Sequence, residues 1–307
     1  MRQFIDFDFV EAVVRAGSIR KAAEDMNITA SALNRRINRF ERDFGYEIFE
    51  RLPAGMRLNP AGELLLEHIR RQKSDLARVR SQVADLSGVR RGHVSIACSQ
   101  ALMPAFLPKQ ISRYRELHPG VTFSVNTRDR LAAEQELASF ASDIALVFEP
   151  KHMADFEVIA AISQPIHAVM RPDHPLARHD VIRLRDLSGQ VLVMPPPQFA
   201  VRVLLDEALK QLPYIDVEPV LVSESFDFMS NYVLWEGAVS FQFPIGIADR
   251  AGLVTRPVAT KDVAPGKLLL GQMRGRTLPV ASARFVQQLV HAMHELSGQS
   301  RHRVDQT

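Results

Sequence analysis

The sequence predicts a multidomain α+β protein in three parts: a small helical N-terminal domain, one long helix, and a larger C-terminal domain of two α/β lobes. Its 307 residues, at roughly 100–200 residues per domain, leave room for two or three domains. Apolar residues recur at helical spacing as far as residue 86, whereas beyond residue 92 short apolar runs alternate with helical stretches.

The first 45 residues predict three helices. The first spans about 7–16 and ends at Gly17, and the second spans 19–26 after the capping Ser18. A short turn at 27–28 leads to a third helix, which Thr29 caps and Gly45 ends. The third helix has apolar positions spaced four, three and four residues apart, at Leu33, Ile37, Phe40 and Phe44.

Residues 49–58 predict a short hairpin with Pro53 and Gly55 at its tip and an arginine on each arm, Arg51 and Arg57. Two helices joined by a tight turn, the second rich in polar and arginine side chains, together with such a hairpin are typical of a winged helix-turn-helix. In that motif the second helix enters the major groove of DNA. An ordinary three-helix bundle with a solvated arginine face is the alternative interpretation.

A long helix is predicted over residues 60–88, because Asn59 can cap it, Pro60 suits its first position and Ser87-Gly88 ends it. Alternating steps of four and three residues form one seam: Leu65, Ile69, Gln72, Leu76, Val79, Val83 and Leu86. Such a heptad seam predicts a dimerisation helix, and packing against its own chain is the alternative.

From residue 93 the pattern predicts mainly parallel α/β layers in two similar lobes that enclose a cleft. The predicted strands are 93–97, 121–126, 143–148, 156–162, 165–170, 191–194, 217–222, 239–241 and 267–273. The predicted helices are 107–118, 131–140, 200–212, 226–235 and 281–296.

Composition excludes several classes of protein. With 46% hydrophobic and 24% charged residues, the chain is an ordinary globular protein and neither disordered nor a membrane bundle. The net charge of +3 is concentrated at the start, since residues 1–91 carry 17 lysines and arginines against 13 acidic residues. The single cysteine, Cys98, excludes an intramolecular disulfide, and we expect a cytoplasmic protein without a signal peptide or membrane contact.

No cofactor is expected. A lone cysteine cannot build a sulfur metal cage, and His291 and His294 lack a companion ligand motif. Nucleophile elbow, Walker and dinucleotide fingerprints are absent from the sequence, so an enzyme is not expected.

Over residues 5–298 the chain resembles the LysR-type transcriptional regulators. The residues that carry this resemblance are Phe9-Val10, Ala16-Gly17-Ser18, Ala22-Ala23, Leu33, Arg35, Ile37, Phe49-Glu50-Arg51, Arg57-Leu58, Ala61-Gly62 and Asp173-His174-Pro175-Leu176. The resemblance implies a bacterial protein with a winged helix-turn-helix domain over 1–59, a linker helix over 60–88 and a periplasmic-binding-protein-like effector domain over 92–300. Within that effector domain we expect lobe I at about 92–163 and 270–298, and lobe II at about 164–269.

The family places a Gln-Pro pair at the start of the recognition helix, whereas this chain has Ala30-Ser31. Ala30 can touch a thymine methyl group, Asn34 could pair with adenine, and Arg35 could read guanine or grip phosphate. The two hairpin arginines are expected to contact the DNA backbone without reading sequence. The predicted DNA-binding residues are Arg20, Lys21, Thr29, Ala30, Ser31, Asn34, Arg35, Arg36, Arg39, Arg51 and Arg57.

An effector is expected beyond the carboxyl ends of the strands. The family commonly has a Ser or Thr at the position of Ser99 that binds an effector carboxylate, which suggests a small organic acid. The predicted effector-binding residues are Ser99, Gln100, Thr127, Phe148, Gln198, Phe199, Ser223 and Phe243. Cys98 adjoins this site, where it is either a buried apolar residue or a thiol sensor.

Together these features predict a sequence-specific DNA-binding regulator whose effector changes promoter binding and bending. The predicted partners are double-stranded operator DNA, the small effector and RNA polymerase. The chain is also predicted to form a homodimer through residues 60–88, and two such dimers are predicted to form a homotetramer. A small-molecule solute-binding protein is the alternative, although it would leave the N-terminal domain unexplained.

Overall fold

A computed structural model describes residues 2–53, 55–86, 91–148, 155–212, 217–247 and 250–304. The chain divides into two compact units, Met1–Arg80 and Ser81–Thr307. Among the described helices, none combines the length and the apolar character that a membrane span requires.

The first unit contains the predicted three helices, the hairpin and the start of the long helix. These elements are α1 (Arg2–Ala16), α2 (Ile19–Asp25), α3 (Ala30–Phe44), β1 (Phe49–Leu52), β2 (Gly55–Leu58) and α4 (Pro60–Leu86). Helix α1 begins five residues earlier than predicted, because no proline or glycine interrupts residues 2–6. The core of this unit is built from side chains of α1, α2, α3 and α4, including Val10, Ala22, Leu33 and Ile69.

The hairpin of residues 49–58, called the wing below, is held against the turn between α1 and α2. The Met56 amide donates to the Gly17 carbonyl oxygen at 2.8 Å. Gly55 has φ of 135°, and a Cβ atom at this position would lie 2.3 Å from the same oxygen. Only glycine fits this close approach, so the wing is fixed to the helical core at its tip.

The seam of α4 is buried near the start of the helix and exposed farther along. Leu65 and Ile69 are buried in the core of their own unit, so for these two residues the alternative of packing on the same chain is correct. Farther along, Val79 and Val83 are 44% and 57% exposed. These two valines leave apolar surface exposed on the later part of the helix.

A five-stranded sheet forms the first lobe of the second unit, in the order β4-β3-β5-β12-β6. Its strands are β3 (Gly92–Cys98), β4 (Val121–Thr127), β5 (Ile144–Phe148), β6 (Phe156–Gln164) and β12 (Gly266–Met273). Strands β3, β4 and β5 are parallel as predicted, but β12 is antiparallel to both β5 and β6. Strand β12 pairs with β6 along its whole length, from Gly266 opposite Gln164 to Met273 opposite Phe156.

The second lobe has a sheet in the order β11-β7-β10-β8-β9. Its strands are β7 (His167–Met170), β8 (Leu192–Met194), β9 (Pro219–Val222), β10 (Val239–Gln242) and β11 (Val254–Pro257). Here β8, β9 and β10 are parallel, while β7 is antiparallel to β10 and β11. Sequence patterning missed β11, because this four-residue edge strand is only half-buried and ends in proline.

The helices of this unit are α5 (Phe106–Leu117), α6 (Arg130–Ala138), α7 (Ala200–Leu209), α8 (Phe226–Glu236) and α9 (Val280–Val304). Direct contacts join the two lobes. The rings of Phe148 and Phe243 stack with their centroids 3.9 Å apart, and the Ile245 amide donates to Gln164 Oε1 at 3.2 Å. These contacts fix the spacing of the lobes beside the cleft.

Candidate functional site

Helix α3 presents a polar face opposite its buried side. Leu33 and Ile37 lie in the core, and helical spacing therefore turns residues 31, 35, 38 and 42 outward. Of the predicted DNA-binding residues on this helix, Ala30, Ser31, Arg35, Arg36 and Arg39 are exposed and Asn34 is half-buried. A polar, arginine-rich face of this kind suits a helix that enters a DNA groove.

Thr29 has a structural role at the start of this helix. Its Oγ1 accepts a hydrogen bond from the Ala32 amide at 3.2 Å, which makes it the N-cap of α3. At the other end Gly45 adopts φ of 89° and closes the helix.

The Glu41 carboxylate connects α3 to the wing. Its Oε1 accepts hydrogen bonds from the amides of Ile48 at 2.8 Å and Phe49 at 3.2 Å, where the chain enters β1. Ile48 and Phe49 are buried, so these bonds fix the wing in one position beside the recognition helix.

Arg51 reaches from the wing to α3. Its Nη2 donates to Asn34 Oδ1 at 3.2 Å and to Asn38 Oδ1 at 2.8 Å. Asn38 was not among the predicted residues, although its position four residues after Asn34 on the same helical face is readable from the sequence.

The two wing arginines lie on opposite faces of the hairpin. Arg57 pairs in register with Glu50, and Arg51 pairs with Met56. Because side chains alternate between the faces of a strand, Arg51 shares the face of buried Phe49 and Arg57 lies on the other face. Sequence reasoning treated the two as equivalent, but only Arg51 contacts the recognition helix.

Three other predicted cations differ in their surroundings. Arg20 forms an exposed ion pair with Glu24 at 3.2 Å, and Lys21 is exposed. The Arg36 guanidinium lies over the Phe9 ring, 4.7 Å from its centroid. This contact ties Arg36 to α1, on the flank of α3.

Between α3 and β1 the unit has a groove of about 1580 Å³. Its described lining includes the basic side chains Arg35, Arg36, Arg39, Arg42 and Arg51. The acidic side chains Glu41, Glu47 and Glu50 also line it, so the positive charge is concentrated along the helix.

The second unit has a cleft of about 500 Å³ between its lobes. Six of the eight predicted effector residues line it: Ser99, Gln100, Thr127, Phe148, Gln198 and Phe199. They are brought together because β3, β4 and β5 end at one edge of the first sheet, while the N-terminus of α7 approaches from the second lobe.

The other two predicted effector residues are not among the cleft's described lining. Ser223 Oγ accepts a hydrogen bond from the Ser225 amide at 3.2 Å, which gives it a local turn-capping role. Phe243 is 1% exposed and stacks on Phe148 between the lobes, where it packs as a core residue. Sequence reasoning placed both correctly at strand ends, but strand ends alone do not determine which side chains face the cavity.

Sequence reasoning also missed part of the lining, namely Asp129, Arg130, Leu131, Ala200, Val203, Leu204 and Glu207. The spacing of 200, 203, 204 and 207 is one face of a helix, and that periodicity could have revealed the contribution of α7.

Ser99 and the helix termini give the cleft its polar character. Ser99 precedes a short 3-10 helix without a side-chain capping bond, so its hydroxyl is not used there. Asp129 caps α6 by accepting from the Ala132 amide at 2.8 Å, whereas Phe199 at the start of α7 provides no side-chain cap. The first-turn amides of α7 therefore offer donors to an anion.

The charges around the cleft are mixed. Arg128 is held by Glu136 through an Nε–Oε1 contact of 2.5 Å and donates to the Thr127 carbonyl at 2.8 Å. Glu207 and Glu224 also line the cleft. A ligand with donors as well as a carboxylate would suit this lining better than a highly charged anion.

Cys98 lies beneath the cleft and is completely buried. Burial raises the pKa of its thiol to about 12, and Sγ donates to Met103 Sδ at 3.6 Å. The buried apolar role is therefore the one the geometry supports. Among the described residues, no group of three or more His, Cys, Asp or Glu side chains could hold a metal ion.

A winged helix-turn-helix followed by two α/β lobes around a cleft defines a class, the ligand-responsive DNA-binding regulators. Residues 5–63 match the model of the bacterial regulatory helix-turn-helix protein, lysR family, and residues 87–294 match that of the LysR substrate binding domain. The chain belongs to the LysR family of bacterial transcriptional regulators.

Individual relatives are distant. The HTH-type transcriptional activator CmpR of Synechocystis is 23% identical over 201 residues, 66% of each chain, so this chain spans just under two thirds of that activator. Full-length CbnR complexed with its target DNA has a TM-score of 0.62 at 18% identity, covering 94% of this chain and 99% of CbnR. The regulatory domain of CcmR from Synechocystis, in complex with 2-PG, has a TM-score of 0.57 at 18% identity. The match covers 66% of this chain and 98% of the CcmR domain. These structural likenesses establish the fold.

Proposed function

We propose that this protein binds double-stranded promoter DNA sequence-specifically through α3 and the wing, and that a small organic effector in the cleft modulates that binding. The observation that carries the proposal is the face of α3 with its exposed arginines and half-buried asparagines, held beside the wing by Glu41 and Arg51. The relative CbnR is described in complex with its target DNA, which supports the same use of this fold.

The protein acts as a dimer in this proposal. Val79 and Val83 leave an exposed apolar stripe on α4, and a second copy of the helix would cover it. Two winged domains then face two half-sites of an operator, and the dimers associate into a tetramer that bends the DNA. RNA polymerase is the further partner of such a regulator, which works in the bacterial cytoplasm.

The effector is a small carboxylic acid with additional hydrogen-bonding groups. Its carboxylate lies against the Ser99 hydroxyl and the first-turn amides of α7, and its other polar groups meet Thr127 and Gln198. The likeness to the CcmR regulatory domain, which is described in complex with 2-PG, supports the binding of a small molecule by this domain.

Two measurements test the proposal. In the first, fluorescence anisotropy with the full-length protein compares DNA from upstream of its own gene with random duplex, at low and moderate salt. Selective binding that weakens with salt and is lost in Arg35→Ala supports a regulator. Equal binding to both duplexes, from this and every other promoter region tested, refutes it in favour of a solute-binding protein.

In the second, a panel of small carboxylic acids is screened by thermal shift against the wild type and Ser99→Ala. A stabilising acid whose effect disappears in Ser99→Ala supports the cleft as the effector site. A stabilising acid that binds both proteins equally refutes the placement of its carboxylate.

A further inference from the structure

The contact between Arg51 and the two asparagines of α3 fixes how the amides are oriented. A guanidinium has only N–H donors, so each asparagine must turn its oxygen toward Arg51. One nitrogen, Nη2, bonds both Oδ1 atoms, at 3.2 Å for Asn34 and 2.8 Å for Asn38. Both oxygens therefore face the wing, and both amino groups point away from Arg51.

The base edges of DNA differ in what they could offer these amino groups. In the major groove guanine presents two adjacent acceptors, N7 and O6, and thymine presents one acceptor, O4, beside its methyl group. Adenine presents an acceptor beside the N6 amino donor, and cytosine presents a donor. Two amino donors therefore find two acceptors on one base only at guanine. A bidentate asparagine–adenine contact requires the amide oxygen to accept from N6. In this protein that oxygen already accepts from a cation, and the positive charge beside it repels a second donor group.

We infer that Arg51 leaves Asn34 and Asn38 able only to donate hydrogen bonds to a base, and that the two asparagines therefore select guanine. This inference rests on the proposed binding of DNA through α3. Arg51 is then a positioning residue for sequence recognition and not only a phosphate contact. Both hydrogens of Nη2 are directed at the asparagines, and the Nε and Nη1 hydrogens remain for a phosphate of the DNA backbone.

This assignment reverses two expectations from the sequence. Asn34 was expected to suit adenine, and the two wing arginines were expected to act alike. The chain itself provides the matched control, because Arg57 has the same charge and exposure as Arg51 but lies on the opposite face of the wing, across from Glu50.

The test selects bound sequences from a random duplex library with the full-length wild type and with Arg51→Ala, Arg57→Ala and Asn34→Ala. The wild type should enrich a motif with a guanine at the position that Asn34→Ala relaxes. Discrimination against adenine there should be about 5- to 150-fold, the range expected for one base-specific pair. Arg51→Ala should reduce this discrimination, so that sites with adenine at this position bind almost as tightly as sites with guanine. Arg57→Ala should instead lower the affinity for all sequences about equally.

Two further measurements sharpen the test. Replacing that guanine by 7-deazaguanine removes the N7 acceptor. This replacement should lower the DNA affinity of the wild type but should cause little further loss of affinity in Asn34→Ala. Asn34→Asp keeps an oxygen on Arg51 while replacing the amino donor by an acceptor, so the preference should shift from guanine toward cytosine. Arg51 and Arg57 are exposed and Asn34 is half-buried outside the core, so the melting temperatures of the variants should stay close to that of the wild type.

Each possible result has a defined meaning. A base other than guanine at the position that depends on Asn34, or an Arg51→Ala profile that only weakens binding uniformly like Arg57→Ala, overturns the inference while leaving DNA binding intact. A motif in which no position responds to Asn34→Ala does the same. If the wild type enriches no motif at all, both the inference and the proposed function fail.

Discussion

Replacing Glu41 by alanine should release the wing from the recognition helix. The carboxylate accepts two backbone amides at 2.8 and 3.2 Å, from residues whose side chains are buried. A hydrogen bond to a charged group contributes about 1.5–3 kcal/mol. Because the site is only partly buried, we expect the loss of both hydrogen bonds in Glu41→Ala to lower the free energy of local opening at the start of the wing by about 2–4 kcal/mol.

Hydrogen exchange measured by mass spectrometry reads this loss directly. A change of 2–4 kcal/mol corresponds to roughly 30- to 800-fold faster exchange of the Ile48 and Phe49 amides. Glu41→Gln is the matched control, because its carbonyl oxygen can still accept both amides without the charge, and it should keep more than half of the protection.

The same variant should weaken specific DNA binding, since the wing carries Arg51. A Glu41→Ala protein whose Ile48 and Phe49 amides exchange as slowly as in the wild type would refute this account of how the wing is held.

Three further predictions concern the second unit. Gly246→Ala should lower the melting temperature by several degrees, because the new Cβ would lie 2.0 Å from the Ala101 carbonyl oxygen. A clash of this kind costs about 1–3 kcal/mol or more. An unchanged melting curve would contradict the close approach of Gly246 to Ala101. The Arg183 guanidinium, bonded to Asp262 at 2.6 and 2.7 Å, lowers the pKa of that carboxyl below 3.8, so its stabilising contribution is present above pH 3.8 and is lost as the pH falls further. The difference in urea stability between wild type and Asp262→Asn should therefore shrink from pH 6 to pH 3, and a pH-independent difference would contradict this linkage. Cys98, with its pKa raised to about 12 by burial, should not react with a thiol reagent at pH 8 until the protein is unfolded, and rapid labelling of the native protein would revive a sensor role.

Local pattern was sufficient to predict most elements, because the helices and central strands of this chain follow their own periodicity. The third helix illustrates this, since Leu33 and Ile37 are both core residues and Thr29 and Gly45 both cap it. The edge strand β11 was missed because it buries too little apolar surface to produce a pattern.

Tertiary context decided what the sequence could not. The heptad seam of α4 is continuous in sequence, yet Leu65 and Ile69 are buried in their own unit while Val83 is exposed. The heptad spacing of apolar residues does not by itself show whether a given position packs against the same chain or against a second copy.

The candidate sites show the same limit. The strand ends included Ser99, which lines the cleft, but they also included Phe243, which packs on Phe148 because the lobes meet there. The contact of Arg51 with Asn34 joins residues that are 17 positions apart, and only the fold of the wing brings them together.

The central claim is that α3 lies in the major groove of a specific site, and affinity cleavage tests it most directly. The only native cysteine is buried, so a DNA-cleaving reagent can be attached selectively to Ser31→Cys on the exposed face of α3, or to Glu67→Cys on the exposed side of α4 as a control. On the selected duplex, the Ser31→Cys conjugate is predicted to cut within two half-sites one helical turn or more apart, and the Glu67→Cys conjugate is predicted to leave them uncut. Cleavage from Ser31→Cys that is spread evenly over the duplex, or that equals cleavage from the control, would contradict the claim.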